Sequence, residues 1–391
     1  MTTSRNRVRR LCALVVVVAG GAAVAGCGGD GDPQQADCPP VSGHICSIAG
    51  TGIAGDGADE LPALETRLYQ PQDVTVGPDG RVFIVDWNNH RIRVLDTDGK
   101  LRIVAGVGEL GFDSDDPTVN RLNHPTNVTF NPQGQLVIAA WHNSRVKTVD
   151  LTTKELVDTC GDGGRGFMGD GGPAATARLD LPVGVVFDKA GNMIIADQAN
   201  HRLRMVDADT SIIHTIAGIG RCMDPAGCSL GDGGPATEAI LSFPLGQAAR
   251  PGGRVAIDDE GNLYVADTSN FRLRKIDTAG IITTLAGNGT RGATGDGGPA
   301  TLATLSRLTD VAVGPDGLVY IADNENSCIR VVTPDGNINS VVGQCGQRGF
   351  SGDGGPGATA LLDRPYGITV DPAGNLYIAD THNNRIRVVY H

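Results

Sequence analysis

The feature that most limits the possible folds is a short segment that recurs six times along the chain. The copies read VDWNNHRIRVLD (85–96), AAWHNSRVKTVD (139–150), ADQANHRLRMVD (196–207), ADTSNFRLRKID (266–277), ADNENSCIRVVT (322–333) and ADTHNNRIRVVY (379–390). Corresponding positions in successive copies lie 54 to 70 residues apart. Recurrence at this spacing is typical of repeat architectures, in which each repeat contributes one supersecondary unit to the fold.

Each repeat predicts four short strands separated by tight turns. In the first repeat, the alternation of apolar and polar residues predicts strands over 72–77, 82–86, 91–96 and 101–105. Pro78-Asp79-Gly80 and Asp98-Gly99 supply residues that favour turns. Six such meanders predict an all-β fold, a six-bladed β-propeller of four-stranded antiparallel blades over residues 44–391.

The two ends of the repeat region predict how the ring closes. The segment HICSIAG (44–50) is similar to the fourth-strand segment IITTLAG (281–287), whereas the last repeat stops after its third strand. We therefore expect an N-terminal strand to complete the last blade. Such closure pairs an edge that an open sheet would leave exposed.

Composition and charge restrict the partners of the chain. The formal net charge is −12, and four of the arginines lie in the basic first ten residues. This balance disfavours nucleic acid, whose phosphates need clustered Lys and Arg. It also disfavours a domain that lies flat on anionic lipid. We expect an acidic monomer whose ligand is a protein or a glycan.

The N-terminus predicts export. Residues 1–26 join a basic stretch to the apolar run LCALVVVVAGGAAVAG (11–26), which is typical of a signal peptide and short for a spanning helix. The run ends in Val24-Ala25-Gly26-Cys27, which resembles a bacterial lipobox. The resemblance implies cleavage before Cys27, lipidation of its thiol, and anchoring to the cell envelope, either periplasmic or at the cell surface. An ordinary secretory signal with a chance cysteine is the alternative. Residues 27–43 predict a flexible tether, so the membrane is reached only through the lipid.

The cysteines fit an oxidising compartment. Candidate disulfides are Cys38–Cys46, Cys222–Cys228 and Cys328–Cys345, although connectivity cannot be proved from sequence. Cys160 is left over. A zinc site is not expected, because the sequence contains no CxxC pair.

Two motifs identify a family resemblance. The pattern G-N-L-Y-[IV]-A-D-x-x-N-x-R-[IL]-R at 261–274 and 374–387 resembles the NHL repeat. The G-D-G-G-P-A-T segments at 231–237 and 295–301 are similar to those of bacterial NHL proteins and of the teneurin NHL domain. The resemblance covers roughly 44–391 and implies the propeller fold, but it says little about activity.

Some related propellers are enzymes. One of them, a peptide-amidating lyase, binds zinc through histidines, and His90 and His201 lie in repeated Asn-His-Arg triplets of this chain. The other repeats carry different residues at the same position: Ser144, Phe271, Ser327 and Asn384. We therefore predict a structural role for both histidines and no metal site.

Two further repeated elements favour architecture over chemistry. An aspartate ends the second strand in five repeats, where it can accept amide hydrogens of the following loop: Asp86, Asp197, Asp267, Asp323 and Asp380. GDGG segments precede a Pro and a short helical turn whose last Leu should pack between blades. They lack the acidic ladder of an EF-hand. We expect no cofactor, with weak Ca²⁺ binding by one or two of these loops as the alternative.

Residues that break the internal symmetry are the candidates for binding. The only two tryptophans, Trp87 and Trp141, hold the same position in adjacent repeats, and His142 follows the second. Aromatic platforms on one face can stack on a sugar or anchor a peptide. The fourth repeat has an insertion near 222–228 and another near 247–254. There, Arg250 and Arg254 could hold a carboxylate or a loop of the partner.

These observations favour a non-catalytic binding or scaffolding module that recognises its partner through the loop-bearing face. No G-x-S-x-G nucleophile motif occurs. The alternative is a metal-assisted lyase or lactonase with ligands converging at the central channel. A third possibility is a purely structural spacer on the envelope.

Overall fold

Six antiparallel sheets arranged around a central axis make up the protein. The computed structural model describes residues 38–111, 121–221, 230–246 and 250–391, which fold into one sheet per repeat. The prediction of an all-β six-bladed propeller is confirmed. The signal peptide, most of the tether, Cys27 and the Cys222–Cys228 pair lie outside the described residues. Within them, no helix has the length and apolar character needed to cross a membrane.

Each blade has strands a to d, counted outwards from the axis. The inner strands a are Asp73–Val76, Asn127–Phe130, Pro182–Phe187, Val255–Ile257, Leu308–Val313 and Ile368–Val370. Strands b are Val82–Asp86, Leu136–Ala140, Met193–Asp197, Leu263–Asp267, Val319–Asp323 and Leu376–Asp380. Strands c are Arg91–Leu95, Arg145–Val149, Arg202–Val206, Arg272–Ile276, Cys328–Val332 and Arg385–Val389. Strands d are Lys100–Ala105, Leu156–Cys160, Ile212–Ala217, Ile281–Ala286, Asn337–Val342 and, in the sixth blade, His44–Ala49.

The blades are wider than the predicted four strands. In all but the second blade, the described residues add a two-residue fifth strand outside strand d: Leu61–Pro62, Gly172–Pro173, Gly234–Pro235, Gly298–Pro299 and Gly355–Pro356. Proline is tolerated there because the strand is an edge and needs no further amide donor. A 3₁₀ turn follows each fifth strand: Ala63–Glu65, Ala174–Thr176, Ala236–Glu238, Ala300–Leu302 and Gly357–Thr359. The leucines expected to pack between blades are buried: Leu179, Leu241, Leu305 and Leu362.

The ring closes as expected. His44–Ala49 pairs antiparallel with Arg385–Val389, with Ile45 opposite Val389 and Cys46 opposite Val388. A disulfide between Cys38 and Cys46 ties the preceding segment to this strand, and a second joins Cys328 to Cys345. Both bridges were among the predicted pairs. Cys160 is buried, and burial raises the pKa of its thiol to about 12, which keeps it protonated and unreactive.

The repeated aspartate connects strand b to the segment that leads into strand a. All five of these carboxyl groups are fully buried. Asp86 Oδ1 accepts the amide hydrogen of Tyr69 at 2.8 Å, and its Oδ2 accepts from the Asn89 side chain at 2.9 Å. The backbone amide therefore comes from the loop before strand a, whereas the turn after strand b, which the sequence predicted as the donor, contributes the side-chain amide of Asn89. The same pattern recurs in the third to sixth blades.

A buried arginine on strand c explains the GDGG aspartates. Arg387 lies between Asp380 at 3.4 Å and Asp353, from a GDGG segment, at 2.6 Å. Equivalent pairs join Arg204 to Asp170, Arg274 to Asp232, and Arg330 to Asp296. These loop carboxylates neutralise a buried guanidinium, so their repetition has a structural cause. Breaking such a pair leaves an uncompensated buried charge.

Candidate ligand-binding face

One face of the ring carries both the b–c turns and the d–a segments, and we call it the loop-bearing face. Each b–c turn is one 3₁₀ turn: Trp87–Asn89, Trp141–Asn143, Gln198–Asn200, Thr268–Asn270, Asn324–Asn326 and Thr381–Asn383. The next residue is left-handed in every blade, with φ between 51° and 57°: His90, Ser144, His201, Phe271, Ser327 and Asn384. Because these backbones are nearly identical, the face differs between blades mainly in its side chains and d–a segments.

The two histidines of the Asn-His-Arg triplets link neighbouring blades. His90 Nδ1 accepts the amide hydrogen of His124 at 3.3 Å, and His201 Nδ1 accepts that of Phe243 at 3.0 Å. In the same way, Asn384 Oδ1 accepts the amide hydrogen of Gln70 at 2.9 Å. These contacts give both histidines the structural role predicted for them.

An aromatic cluster covers the first and second blades. The Trp87 ring lies 4.8 Å from the His124 ring, which in turn lies 4.5 Å from His90 and 5.0 Å from His142. We call Trp87, His90, His124 and His142 the aromatic cluster. Trp87, His124 and His142 are half-buried, and the Trp87 indole N–H is shielded from solvent without a hydrogen-bond partner.

The protonation state of the cluster follows from its hydrogen bonds. His124 Nδ1 lies 2.9 Å from Asn123 Oδ1, which can only accept, so this nitrogen carries the proton. It also lies 3.2 Å from His142 Nδ1, which must then be the unprotonated acceptor. Burial, with help from His90 and His142, lowers the pKa of His124 to about 4. Burial also lowers the pKa of His90, so the His90 and His124 rings are neutral at neutral pH.

The two tryptophans are not equivalent, although the sequence treats them alike. Trp141 is 1% exposed and packs into the core formed by the third and fourth blades. Its Nε1 donates to Gln198 Oε1 at 3.2 Å, and its ring stacks on His142 with centroids 4.1 Å apart. Trp141 therefore supports His142 from below, while Trp87 and His142 reach the surface.

Arg254 and Arg250 are separated by the fold. Arg250 is exposed on the loop-bearing face, as the sequence suggested. Arg254 instead lies inside the central channel and is only 2% exposed. Its Nη1 donates to Asp73 Oδ1 at 2.7 Å and to Asp310 Oδ2 at 2.9 Å, while Nη2 donates to the carbonyls of Gln72 and Thr126. This arginine fills the channel instead of projecting from the insertion.

Six equivalent positions at the start of the inner strands form this plug: Asp73, Asn127, Gly184, Arg254, Asp310 and Gly367. Asp73 Oδ2 accepts from the Asn127 side chain at 2.8 Å and from the Val128 amide at 2.9 Å. Burial raises the pKa of Asp73 to about 6, although Arg254 opposes the shift. A Cβ on Gly367 would lie 2.4 Å from Asp73 Oδ1, so the missing side chain makes room for the arginine.

Beyond the plug, the channel opens on the face opposite the loops. A cavity of about 590 Å³ there is bordered by the a–b turns of the third to sixth blades, and its charged residues are acidic except for Lys189. Its acids are Asp188, Asp258, Asp259, Glu260 and Asp371. Among the described residues, no group of three or more His, Cys, Asp or Glu side chains is arranged to hold a metal ion.

A second group of side chains on the loop-bearing face was missed by sequence reasoning. Arg307 and Arg364 hold the position three residues before the plug in the fifth and sixth blades, where the first and second blades have Gln70 and His124. Aligning the d–a segments would have revealed them. Arg250 and Arg364 both lower the pKa of Arg307, after burial, so the three guanidinium groups lie near one another.

Sequence comparison agrees with this architecture. The NHL repeat profile matches residues 68–95, 305–332 and 362–389, each of which runs from a d–a segment through strands a, b and c. The chain is an NHL-repeat β-propeller. Teneurin-1 of Mus musculus is 27% identical to this propeller over 389 residues, covering 90% of the chain but 13% of the teneurin. NHL repeat-containing protein 2 of Bos taurus is 30% identical over 236 residues, covering 54% of the chain and 31% of the relative.

Solved structures share the fold of the NHL propeller at low identity. A protein of unknown function from Bacteroides thetaiotaomicron superposes with a TM-score of 0.65 at 16% identity, covering 88% of this chain and 74% of that one. An auxiliary nutrient binding protein from the same species gives a TM-score of 0.62 at 15% identity, covering 88% and 75%. This level of likeness establishes the fold alone.

Proposed function

We propose that the chain is a non-catalytic binding propeller, held at the cell envelope, that recognises a protein or glycan partner through its loop-bearing face. The observation that carries the proposal is the aromatic cluster, which departs from the repeat and reaches the surface. Trp87 offers part of its indole face, and His142 lies on the buried Trp141. An aromatic body with a polar edge is suited to stacking on a sugar or anchoring a peptide.

A relative in fold supports a binding role. The auxiliary nutrient binding protein shares the propeller architecture, and its name assigns it to ligand capture. The disulfides Cys38–Cys46 and Cys328–Cys345 support an extracytoplasmic location, because such bonds persist mainly in oxidising compartments.

The enzyme alternative receives less support from the channel. A metal-assisted lyase or lactonase would need several histidines or acids directed at a shared point. The two acids that meet at the plug, Asp73 and Asp310, both receive hydrogen bonds from Arg254. Their carboxylates are therefore engaged in an ion pair.

The proposal is tested with a double variant, Trp87→Ala with His142→Ala. Immobilised polysaccharide and protein fractions of a bacterial envelope serve as the binding probes, measured by surface plasmon resonance. We expect the surface to retain the wild-type protein. The double variant should bind at least about tenfold more weakly, since anchoring aromatic residues contribute about 2 kcal/mol or more. Leu302→Ala is the matched control, because Leu302 is apolar, 69% exposed, and lies on the outer edge of the fifth blade. Equal retention of the double variant and the wild type would contradict the proposed site.

A further inference from the structure

Three arginines converge on the loop-bearing face, away from the aromatic cluster. They come from the d–a segments of the fourth, fifth and sixth blades: Arg250, Arg307 and Arg364. All three act electrostatically on the buried Tyr366, and Arg250 and Arg364 also lower the pKa of His382, after burial. The group is unusual on a chain with a net charge of −12.

Tyr366 fixes the centre of this group. Its side chain is 3% exposed, and the Arg307 guanidinium lies over the ring at 5.7 Å from the centroid. Arg307 Nη2 donates to the carbonyl of Pro251 at 2.9 Å. A cation–π contact and a backbone hydrogen bond therefore hold this guanidinium in place before any ligand arrives.

Apart from the bond from Arg307 to Pro251, two of these arginines keep donors that have no acceptor. The Nε atoms of Arg307 and Arg364 are shielded from solvent, and neither has a hydrogen-bond partner. Within the described part of the chain, none of the three arginines forms an ion pair. A buried donor that lacks an acceptor costs about 1–3 kcal/mol, and more for a charged group. A ligand oxygen that accepts hydrogen bonds from these groups would remove this cost and thereby favour binding.

Nearby carboxylates leave an excess of positive charge. Glu325 is engaged elsewhere, since it pairs with Arg291 at 2.6 Å and accepts from Ser306 Oγ at 3.2 Å. Asp363, the other acid at this place, acts on His382 and raises its pKa. Three guanidinium groups facing one uncommitted carboxylate form a local positive field that attracts anions.

We propose that Arg250, Arg307 and Arg364 form a binding site for an oxyanion, a carboxylate or phosphate group carried by the ligand of the loop-bearing face. Guanidinium groups match both anions, because their planar N–H donors bind pairs of oxygens. The inference rests on the proposed binding function and adds a chemical class to it: the ligand is acidic. The local positive charge would allow an acidic protein, which otherwise repels anions, to bind such a ligand.

The test uses small anions as probes. Inorganic phosphate and D-galacturonate are titrated separately into the wild-type protein at constant ionic strength, with chloride as the reference, and binding is followed by isothermal titration calorimetry. We expect saturable binding of at least one probe, and the stronger of the two identifies phosphate or carboxylate as the preferred group. Arg307→Gln with Arg364→Gln should weaken that binding about tenfold or more, since charge-assisted hydrogen bonds contribute about 1.5–3 kcal/mol each.

Two controls keep the test decisive. Arg81→Gln with Arg102→Gln removes two partly exposed arginines near the turns of the opposite face and should leave the affinity unchanged, while thermal melting verifies that every variant folds. Arg307→Lys keeps the charge but loses the planar donors. Its affinity for the anion should therefore lie between the affinities of the wild type and the double Gln variant. Absence of saturable binding to both probes, or equal binding by the double Gln variant, would overturn the inference. Envelope binding that depends on Trp87 would survive that result, so the two proposals fail separately.

Discussion

Arg254 donates a hydrogen bond across the central channel to Asp73, a residue 181 positions earlier in the chain and on the opposite blade. The same nitrogen also reaches Asp310 on the adjacent blade. One guanidinium therefore fastens four blades at the axis, because its Nη2 also donates to the carbonyl of Thr126 on the second blade. The plug ties the ring together where the blades are closest, and it separates the loop-bearing face from the acidic cavity below.

Replacing Arg254 with Met should destabilise the whole ring. The change leaves Asp73 and Asp310 buried without their cation, and breaking a buried pair costs about 3–5 kcal/mol. Urea unfolding at pH 7 measures the loss. Lys189→Met, which removes an exposed cation paired with Asp259, should have no resolvable effect.

The same variant should recover part of its stability in acid. The folded pKa of Asp73 is already raised to about 6, so its contribution to stability is fully present below the unfolded pKa and is lost as pH rises through 6. Without Arg254 this pKa rises further, and the deficit should be smaller at pH 5 than at pH 7. Adding Asp73→Asn and Asp310→Asn should narrow the deficit at pH 7. A deficit that is independent of pH would argue against unpaired carboxylates as its cause.

His124→Gln should alter the acid sensitivity of the fold. The pKa of His124 is lowered to about 4, so its contribution to stability is present above the unfolded value near 6.5 and is lost as pH falls toward 4. Glutamine occupies the equivalent left-handed position at Gln70, so the replacement suits the backbone. We expect the stability of the wild type relative to the variant to fall by about 1–2 kcal/mol from pH 7 to 4, allowing for partial exposure. Parallel unfolding curves across this range would contradict the assignment.

Arg387→Met tests the buried arginine network. It removes the partner of the buried Asp380, and of Asp353, within the blade that closes the ring. We expect a loss of about 3–5 kcal/mol in the free energy of unfolding. Arg102→Met removes an arginine whose pairs with Asp96 and Asp98 are partly exposed, and it should leave thermal melting almost unchanged. Similar losses of stability in both variants would show that burial does not account for the contribution of the Arg387 pairs.

The lipid anchor proposed at Cys27 can be tested in a bacterial host. The wild-type protein should partition into the detergent phase and carry a diacylglycerol-modified Cys27 detectable by mass spectrometry, whereas Cys27→Ser should partition into the aqueous phase. Cys160→Ser is the matched control, because Cys160 is buried within the second blade and should not affect partitioning. An unmodified Cys27 at the mature N-terminus would contradict the proposal.

The blades could be predicted because the sequence signals for each strand and turn lie within a single repeat. Alternating residues, turn signals and the repeated aspartate recur within each repeat, so six copies reinforce one interpretation. The fifth strands were missed because a Gly-Pro pair contains no alternation, and its pairing partner lies about 40 residues away, as for Gly172 and Ile213.

The site was less predictable because it depends on contacts between blades. Arg254 looked like part of a surface insertion, and only the closed ring shows that it faces Asp73. Trp87 and Trp141 hold equivalent positions, but their neighbours differ, so one is half-buried and the other buried. His124, Arg307 and Arg364 are single residues in irregular segments, and sequence periodicity carries no signal for them.

The shared sixth blade affects how the chain reaches its folded state. Residues 44–49 are synthesised more than 300 residues before their partner strand, 385–389. Until that partner is made, the early strand presents unpaired backbone groups, which are prone to associate with other chains. A protein built in this way benefits from a chaperone that shields the early strand until its partner strand emerges.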